Sequence, residues 1–356
     1  MTAQRDFGFD SGLTLADRFR AWAGDSPRVY PYAVRAMADD WEAGGPVRDV
    51  CAGYENAPNG AVLQLRLLAG VFRLVLTGRA EALRPFYPCL GGTAEPRDVW
   101  PVLRAVIAEH VTELHDALRI APQTNEVGRS AALLVGLFDV ATAAGTDRVR
   151  LLELGASAGL NLLVDRYRMV GDGWASGPED SPLRLEDVAR PAAIADLSVV
   201  DRRGCDLSPI DPASAEGRLM LTSFVWPDDV HRFRRLEAAL EVVARYGAPP
   251  VDAAGASGWV AQQLSGHAEP GILTVVWNSI TQQYWPRTEI EAVAELLTAH
   301  GAESPLAQVS MEFRAASGPQ EYPELRTRLW LGDGSPPRDR LLGHVHHHGL
   351  PLYLDA

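Results

Sequence analysis

The chain has 356 residues, of which 47% are hydrophobic and 22% are charged, and its formal net charge is -13 at pH 7. This length exceeds the size at which one hydrophobic core usually stops growing, which indicates two domains or one domain with a large appendage. A polyanion binder needs a cationic surface, so the charge balance argues against a nucleic-acid partner. All 33 basic residues are arginine. Lysine Schiff-base enzymes, Walker-A nucleotide hydrolases and Ser-Lys hydrolases are therefore excluded, because each needs an ammonium group.

Several features favour a cytoplasmic protein without a membrane partner. The longest apolar stretches, residues 65–76 and 131–144, are interrupted by Arg73 and Asp139, so neither is a predicted membrane span. The first ten residues contain no apolar segment of the kind found in export signals. The cysteines are odd in number and widely spaced, which fits a reducing compartment and no metal knuckle: Cys51, Cys89 and Cys205.

Residues 1–147 show helical periodicity and no convincing strand. Apolar side chains recur at helix spacing within residues 61–78 and again within residues 127–140. The pattern predicts an all-α N-terminal domain over residues 1–147.

From residue 148 onward, short apolar runs alternate with amphipathic segments. The run at residues 147–155 is continuous and bounded by glycine, which is typical of a strand buried on both faces of a parallel sheet. Thr288 and Glu291 form a predicted capping box for a helix that would close at Gly301. The other candidates are a helix at 230–246 and strands at 196–207, 272–278, 306–313, 324–332 and 341–354.

Alternation of strand and helix predicts an α/β fold with a doubly wound, mostly parallel sheet over residues 148–356. The last two strand candidates are joined by a short turn without a helix. We therefore expect an antiparallel C-terminal hairpin at one edge of this sheet.

The segment ELGASAGLN, residues 153–161, has two interpretations. As G-x-S-x-G it is the nucleophile elbow of an α/β hydrolase, with Ser157 as the nucleophile. As a glycine-rich turn between a strand and a helix, it brings main-chain amides and a helix N-terminus close to a nucleotide-like cofactor. Asp206 follows another predicted strand, where a carboxylate can accept both hydroxyl protons of a ribose.

The nucleotide interpretation explains more residues. A hydrolase elbow normally has strands and an oxyanion loop ahead of it, whereas the preceding residues have a helical pattern. A nicotinamide cofactor is a weaker alternative, since its ribose acid is expected about 20 residues beyond the turn. The chain has an apolar residue near that position, Ala175.

Two resemblances follow from these motifs. Glu153-x-Gly155-x-x-x-Gly159 and Gly204-x-Asp206-x-Ser208-Pro209 resemble the first and second motifs of class I S-adenosylmethionine-dependent methyltransferases. Over nearly its whole length, the chain also resembles a bacterial family known only as a domain of unknown function. The stretches that carry this second resemblance are residues 122–134, 151–163, 201–211 and 225–229.

The first resemblance implies a class I methyltransferase-like sheet with S-adenosylmethionine as cofactor and a small molecule as methyl acceptor. The turn would lie under the methionine part, with Glu153 near its amino group or a structural water, and Asp206 on the ribose. Residues 166–195 would then be an insertion, for example an extra hairpin. The implied cofactor-binding residues are Glu153, Gly155, Ser157, Gly159, Asn161, Asp206 and Leu207.

Polar residues at a further strand end are candidates for catalysis. Asn278 and Ser279 follow a strand directly, and Tyr284 lies within reach if its segment folds over the site. The alternative is a polar strand end that satisfies backbone groups.

A second set of candidates would bind the substrate. Asn125, Glu126 and Arg129 begin a predicted helix that could cover the cleft, although Asn125 could simply cap the helix and Glu126 could pair with Arg129 at the surface. Trp226 could shape the acceptor pocket or serve in packing.

The C-terminal histidines complete the candidates. His344, His346 and His348 would share one face of a strand, a geometry that could bind zinc. No Asp, Glu or Cys stands beside them in the sequence, so no metal site is predicted. The sequence thus favours methyl transfer, with a non-catalytic ligand-binding or interaction protein as the alternative and a serine hydrolase at Ser157 as the third. It leaves the oligomeric state open.

Overall fold

The computed structural model describes residues 12–266, 269–314 and 322–355 of the chain. These residues form two compact units. A helical unit comprises the chain up to Thr124 together with Ala215–Arg234. A sheet unit comprises Asn125–Ser214 and the chain from Arg235 onward. The first boundary therefore falls ahead of the last helix in the region 1–147, and that helix packs on the sheet.

Within the described residues, α-helices dominate the first part of the chain and strands the second. In chain order, the helices are α1 (Leu15–Ala23), α2 (Val29–Glu42), α3 (Pro46–Val50), α4 (Leu63–Leu76), α5 (Trp100–Glu109), α6 (Val111–Ala117), α7 (Ser130–Ala144), α8 (Ala215–Ser223), α9 (Val230–Tyr246), α10 (Ala256–Leu264) and α11 (Arg287–Glu303). The strands are β1 (Arg148–Leu154), β2 (Arg168–Gly171), β3 (Trp174–Ser176), β4 (Arg184–Leu185), β5 (Ser198–Asp206), β6 (Val251–Ala253), β7 (Leu273–Ser279), β8 (Pro305–Glu312), β9 (Glu324–Leu331), β10 (Arg338–Val345) and β11 (Leu352–Leu354).

The helical unit is formed by α1–α6, α8 and the start of α9, and its described residues contain no strand. Thr14 begins α1 with a capping box, in which its hydroxyl accepts from the Asp17 amide and the Asp17 carboxylate accepts from the Thr14 amide. Leu67, Val71 and Leu74 lie on the buried side of α4 at helix spacing.

The sheet unit is built on an eight-stranded sheet with the order β11-β10-β9-β8-β7-β1-β5-β6. The strands β6, β5, β1, β7 and β8 are parallel, whereas β9, β10 and β11 pair antiparallel with their neighbours. Counting only the parallel strands, the order is 3-2-1-4-5, that of a doubly wound sheet whose order reverses between β1 and β7. The predicted α/β fold, with a mostly parallel sheet and an antiparallel C-terminal hairpin, is confirmed in these terms.

Helices cover both faces of this sheet. On one face, Trp259 of α10 and Leu297 of α11 pack with Leu152 of β1 and Trp330 of β9 in a buried apolar cluster. On the other face, α7 approaches β8 so closely that a Cβ at Gly136 would collide with the Val309 side chain. The core of the unit therefore lies on either side of β1, β7 and β8.

The chain forms a small second sheet between β1 and β5, which are themselves neighbours in the large sheet. It contains β2, β3 and β4 in the order β3-β2-β4, with β2 and β3 antiparallel. This sheet occupies the stretch for which the sequence implied an insertion with an extra hairpin.

The helix α7 overlaps a segment long and apolar enough to cross a membrane by length and composition. The segment is residues 127–144, with a mean hydropathy of 1.4. In the folded protein 72% of it is buried, as expected for the core helix of a soluble protein.

The predicted ends of α11 were wrong. The helix begins at Arg287, because the carbonyl of Pro286 already accepts from the amides of Glu289 and Ile290, so Thr288 is inside the helix and does not cap it. The helix also continues through Gly301 to Glu303. Gly301 is a packing residue, since a Cβ there would collide with the Trp330 side chain.

The single strand predicted at residues 341–354 was also wrong. It is two strands, β10 and β11, and His346, His347 and His348 lie in the turn between them. His344 remains on β10, so the three alternate histidines do not share one strand face.

Candidate functional site

The glycine turn follows β1, beside the point where the strand order reverses. Gly155, Ser157 and Gly159 all have positive φ angles, of 69°, 54° and 72°. The backbone is therefore left-handed at every second residue of the turn. Glycine adopts this conformation without steric cost, whereas Ser157 adopts it despite its side chain. Gly155 is exposed and Ser157 is buried.

Asp206 ends β5 and lies directly against this turn. One carboxylate oxygen accepts from the Ser157 amide at 2.9 Å, and the other accepts from the Ser208 amide at 2.9 Å. The parallel pairing of β1 with β5 places Leu154 beside Cys205, so the two strands end at the same level. The structure therefore brings together the two motifs that the sequence singled out.

Leu207 follows Asp206 and is strongly exposed. Its relative accessibility is 82%, the highest among the exposed large hydrophobic residues described. Asp206 itself is half-buried. The rim of the site thus combines a carboxylate, an apolar side chain and the bare backbone of Gly155.

The helix expected after the turn is not an α-helix. Leu160–Arg166 is a seven-residue 3-10 helix with non-helical backbone at Leu163. Part of the reason is local, because Gly159 is left-handed and the Tyr167 hydroxyl donates to the Leu160 carbonyl. The α-helix dipole that the sequence pattern implied at this turn is therefore not a feature of the site.

A buried polar network supports the turn from below. The Ser130 hydroxyl donates to Asn161 Oδ1 at 2.8 Å, and Asn161 Nδ2 donates to Glu153 Oε1 at 3.3 Å. Burial raises the pKa of Glu153 to about 8, and the hydrogen bond from Asn161 only partly opposes this. Glu153 is therefore mainly protonated at neutral pH, and it acts as a neutral support for the turn.

The loop after β7 contacts the turn from the other side of the switch point. A Cβ at Gly155 would collide with the Thr281 side chain, so Gly155 is required for this close approach. Ile280, just before Thr281, has a φ of 49°, which is strained for a β-branched residue. Strained backbone of this kind is concentrated at functional sites.

Glu312, at the end of β8, braces this loop and was not among the residues predicted from the sequence. Its Oε1 accepts from Asn278 Nδ2 at 2.8 Å, from the Thr281 amide at 3.1 Å and from the Gln282 amide at 3.4 Å. Burial raises its pKa to about 7. The available signal was an acidic residue at the end of a predicted strand, the same signal that pointed to Asp206.

The three candidate catalytic residues have different surroundings. Asn278 is fully buried, and its amide is engaged at both ends, since its oxygen accepts from Gln308 Nε2 at 3.0 Å and its nitrogen donates to Glu312. Ser279 accepts from Arg129 through its carbonyl at 3.1 Å. Tyr284 is 62% exposed at the end of a short 3-10 helix.

Residues 125–130 connect three loops at this end of the sheet. Asn125 Oδ1 accepts from the Leu160 amide at 3.0 Å, rather than capping its own helix. Arg129 donates to the carbonyls of His347 and Ser279. These contacts place Asn125 beside the glycine turn and Arg129 beside the loop that follows β7.

Glu126 is buried, so the surface ion pair with Arg129 suggested by their spacing was wrong. Its Oε1 accepts from the Gly128 amide at 3.1 Å, and its Oε2 lies 3.3 Å from His348 Nδ1. Arg235 Nη2 is 3.8 Å from the same carboxylate. Glu126 thus fixes the β10–β11 turn to the start of α7.

Trp226 belongs to the helical unit. Its ring centroid lies 5.1 Å from that of Trp22 and 5.5 Å from that of Tyr30, and the Arg28 guanidinium is 5.3 Å from the ring. Within this unit the side chain acts in packing.

The described part of the chain offers no cluster of side chains suited to a metal ion. Over residues 12–266, 269–314 and 322–355, no group of three or more His, Cys, Asp or Glu side chains could hold one. The ring centroids of His346 and His347 lie 4.0 Å apart and those of His347 and His348 lie 4.1 Å apart, with the ring planes tilted in both pairs.

Fold and site together define an α/β protein of the doubly wound class, with a candidate ligand site at the carboxyl ends of β1, β5 and β7. The model of a family described as an uncharacterized protein conserved in bacteria (DUF2332) matches residues 16–353. The chain therefore belongs to this bacterial family. No curated protein and no solved structure shows a significant match to it.

Proposed function

We propose that the sheet unit binds S-adenosylmethionine at the carboxyl ends of β1 and β5 and transfers its methyl group to a small molecule. The observation that carries this proposal is the contact between Asp206 and the glycine turn. In open α/β sheets, ligands bind beyond the carboxyl ends of the strands near the switch point, and this contact lies at the carboxyl ends of β1 and β5, beside the switch point between β1 and β7.

The residues present fit a nucleoside. Each Asp206 oxygen has an amide donor, yet a carboxylate offers about four lone-pair sites, so both oxygens keep capacity for ribose hydroxyls. Leu207 offers an exposed apolar surface to a base. Gly155 is exposed beside Asp206, and its missing Cβ leaves room for the Thr281 side chain that borders the same turn.

Methyl transfer by direct displacement requires few catalytic groups from the protein. The bound sulfonium would supply an electrophilic methyl carbon, and the chain would align the acceptor and exclude water. Glu153 is protonated at neutral pH because burial raises its pKa to about 8, so its role is to support the turn rather than to remove a proton.

A non-catalytic ligand-binding protein is the second candidate, and one observation favours it. Both ends of the Asn278 amide are occupied by Glu312 and Gln308, so this residue is not available to orient an acceptor in the described conformation. The serine hydrolase has less support, because Ser157 is only 7% exposed whereas a nucleophile elbow presents its hydroxyl.

Isothermal titration with S-adenosylhomocysteine tests the proposal. We expect the wild-type protein to bind and Asp206→Ala to lose about tenfold to hundredfold in affinity, the range for losing a hydrogen bond to a charged group. Asp201→Asn is the matched control, because Asp201 is an exposed acid on the same strand that pairs with Arg150 instead.

Two results would contradict the proposal. Absence of binding by the wild type would contradict S-adenosylmethionine as the cofactor. An equal loss of affinity in Asp201→Asn would contradict the assignment of the binding site to Asp206. Covalent labelling of Ser157 by a fluorophosphonate would favour the hydrolase instead.

A further inference from the structure

Ser279–Gln282 lies between the glycine turn and Glu312, and we call these residues the β7 loop. On one side, Thr281 contacts Gly155. On the other side, the Ile280 amide donates to the Met311 carbonyl at 2.8 Å, and the next two amides donate to Glu312. The loop is therefore held between β1 and β8.

The loop cannot be relaxed in this position. Ile280 has positive φ, a conformation that a β-branched residue keeps only when its surroundings impose it. The surroundings are one backbone hydrogen bond from Ile280, the bond from Arg129 to the Ser279 carbonyl, and the bonds to the Glu312 carboxylate from the Thr281 and Gln282 amides. The Glu312 side chain thus holds both residues that follow Ile280, Thr281 and Gln282.

We infer that Glu312 is a pH-dependent lock on the β7 loop: the ionised carboxylate holds the loop against Gly155, and the protonated form releases it. The inference rests on the proposed function, in that the loop borders the proposed cofactor site, and it names a regulation of that site.

The charge of Glu312 matters because all three of its donors converge on one oxygen. Hydrogen bonds to a carboxylate are about twice as strong as those to a neutral acceptor, so protonation weakens all three bonds to Glu312 together. Burial raises the pKa of Glu312 to about 7, which puts the change near neutrality.

Charged groups on the neighbouring elements modulate this titration. Arg129, from the segment before α7, favours the ionised form. On β9, Glu324 lies opposite Glu312 in the register, and its charge is balanced by Arg326 at 2.6 Å and by Arg314 at 3.7 Å. The positive charge of Arg129 and the balanced charge of Glu324 therefore favour an ionised Glu312 carboxylate above neutral pH.

Amide hydrogen exchange of the ligand-free protein tests the lock directly. We expect protection factors for Thr281 and Gln282 to fall about tenfold between about pH 8 and about pH 6 in the wild type. Glu312→Gln should show low protection at both pH values. Glu295→Gln, which changes an exposed acid on α11, should match the wild type.

Titration with S-adenosylhomocysteine at the same two pH values gives the second readout. Affinity should fall about tenfold toward the lower pH in the wild type and lose this dependence in Glu312→Gln. If the wild type does not bind S-adenosylhomocysteine, the proposed function fails. Amide hydrogen exchange of the ligand-free protein still tests whether Glu312 holds the loop. Equal protection of the loop at both pH values in the wild type would overturn the lock, whether or not the variant folds.

Discussion

The carboxylate of Asp206 lies 2.9 Å from the backbone nitrogen of Ser157, so the residue that ends β5 closes the turn that follows β1. The same carboxylate accepts from the Ser208 amide. One side chain thus joins the loops that follow β1 and β5, beside the switch point of the sheet, and a carboxylate has further lone pairs beyond these two bonds.

Asp206 should therefore contribute to stability as well as to binding. Asp206→Ala removes the acceptor for two amides, and we expect the free energy of unfolding to fall by about 1–3 kcal/mol. Asp206→Asn keeps one oxygen acceptor and should lose less. Urea denaturation followed by circular dichroism measures this, and Asp201→Asn should be close to wild type.

This expectation is wrong if both Asp206 variants unfold like the wild type. In that case the two amide contacts would not contribute to the free energy of unfolding. A loss of affinity in Asp206→Ala would then come from the lost contact with the ligand alone.

Sequence patterns predicted the elements that depend on local spacing. The apolar run of β1, the glycine turn and the acid at the end of β5 each have a short-range signature, and the structure brings them together. The short strand β6 and the helix α10 escaped prediction. Three residues are too few to show a period, and α10 begins after Gly255 without a side-chain cap.

The remaining errors have a tertiary origin. Gly301 has the sequence appearance of a helix terminator, yet it serves to admit Trp330. Glu126 and Arg129 have the spacing of a surface pair, yet burial gives each of them partners from distant segments. Asn278 has the sequence pattern of a polar strand end, but its bond to Glu312 depends on the pairing of β7 with β8.

Stability should depend on pH through Glu153. In the folded protein burial raises the pKa of this carboxyl to about 8, whereas its ordinary value is 4.5. The folded state then binds more protons than the unfolded state between these values, so stability falls as pH rises through that window. Glu153→Gln stays neutral, and relative to wild type it should gain about 1 kcal/mol per pH unit there.

Urea denaturation at several pH values checks this. The interval from about pH 7 to about pH 8 is informative because Glu312, whose pKa burial raises to about 7, is present in both proteins, so its titration cancels when the two are compared. Parallel stability curves for wild type and Glu153→Gln across this interval would contradict the prediction.

The turn between β10 and β11 should tolerate no side chain at Gly349. Its φ is 87°, and a Cβ would collide with the backbone of Gly128. Gly349→Ala must displace the turn from the start of α7, so we expect a loss of about 2–4 kcal/mol in the free energy of unfolding.

Gly258→Ala is the matched control for this change. Gly258 lies inside α10 with open space around its Cα, so alanine should stabilise the protein by about 0.5–1 kcal/mol through helix propensity. Thermal denaturation distinguishes the two variants, and a Gly349→Ala protein as stable as Gly258→Ala would show that the contact with Gly128 is not restrictive.

Substitution of Ser157 distinguishes a ligand-binding turn, which acts through its backbone amides, from a nucleophile elbow, which acts through its hydroxyl. Its φ of 54° suits glycine, and left-handed backbone costs a residue with a side chain about 1–2 kcal/mol. Ser157→Gly should therefore unfold within about 1 kcal/mol of wild type, because the relief of strain offsets the greater chain entropy of glycine. Ser157→Val should be clearly less stable, since β-branching makes the same φ more costly.

Ligand titration completes this experiment. The Ser157 amide, which donates to Asp206, is retained in Ser157→Gly, so the affinity for S-adenosylhomocysteine should stay within about threefold of wild type. A hydrolase would instead lose its nucleophile in the same variant. Ester hydrolysis by the wild type that disappears in Ser157→Gly would place the chemistry on the hydroxyl, because the backbone of the turn is common to both proteins.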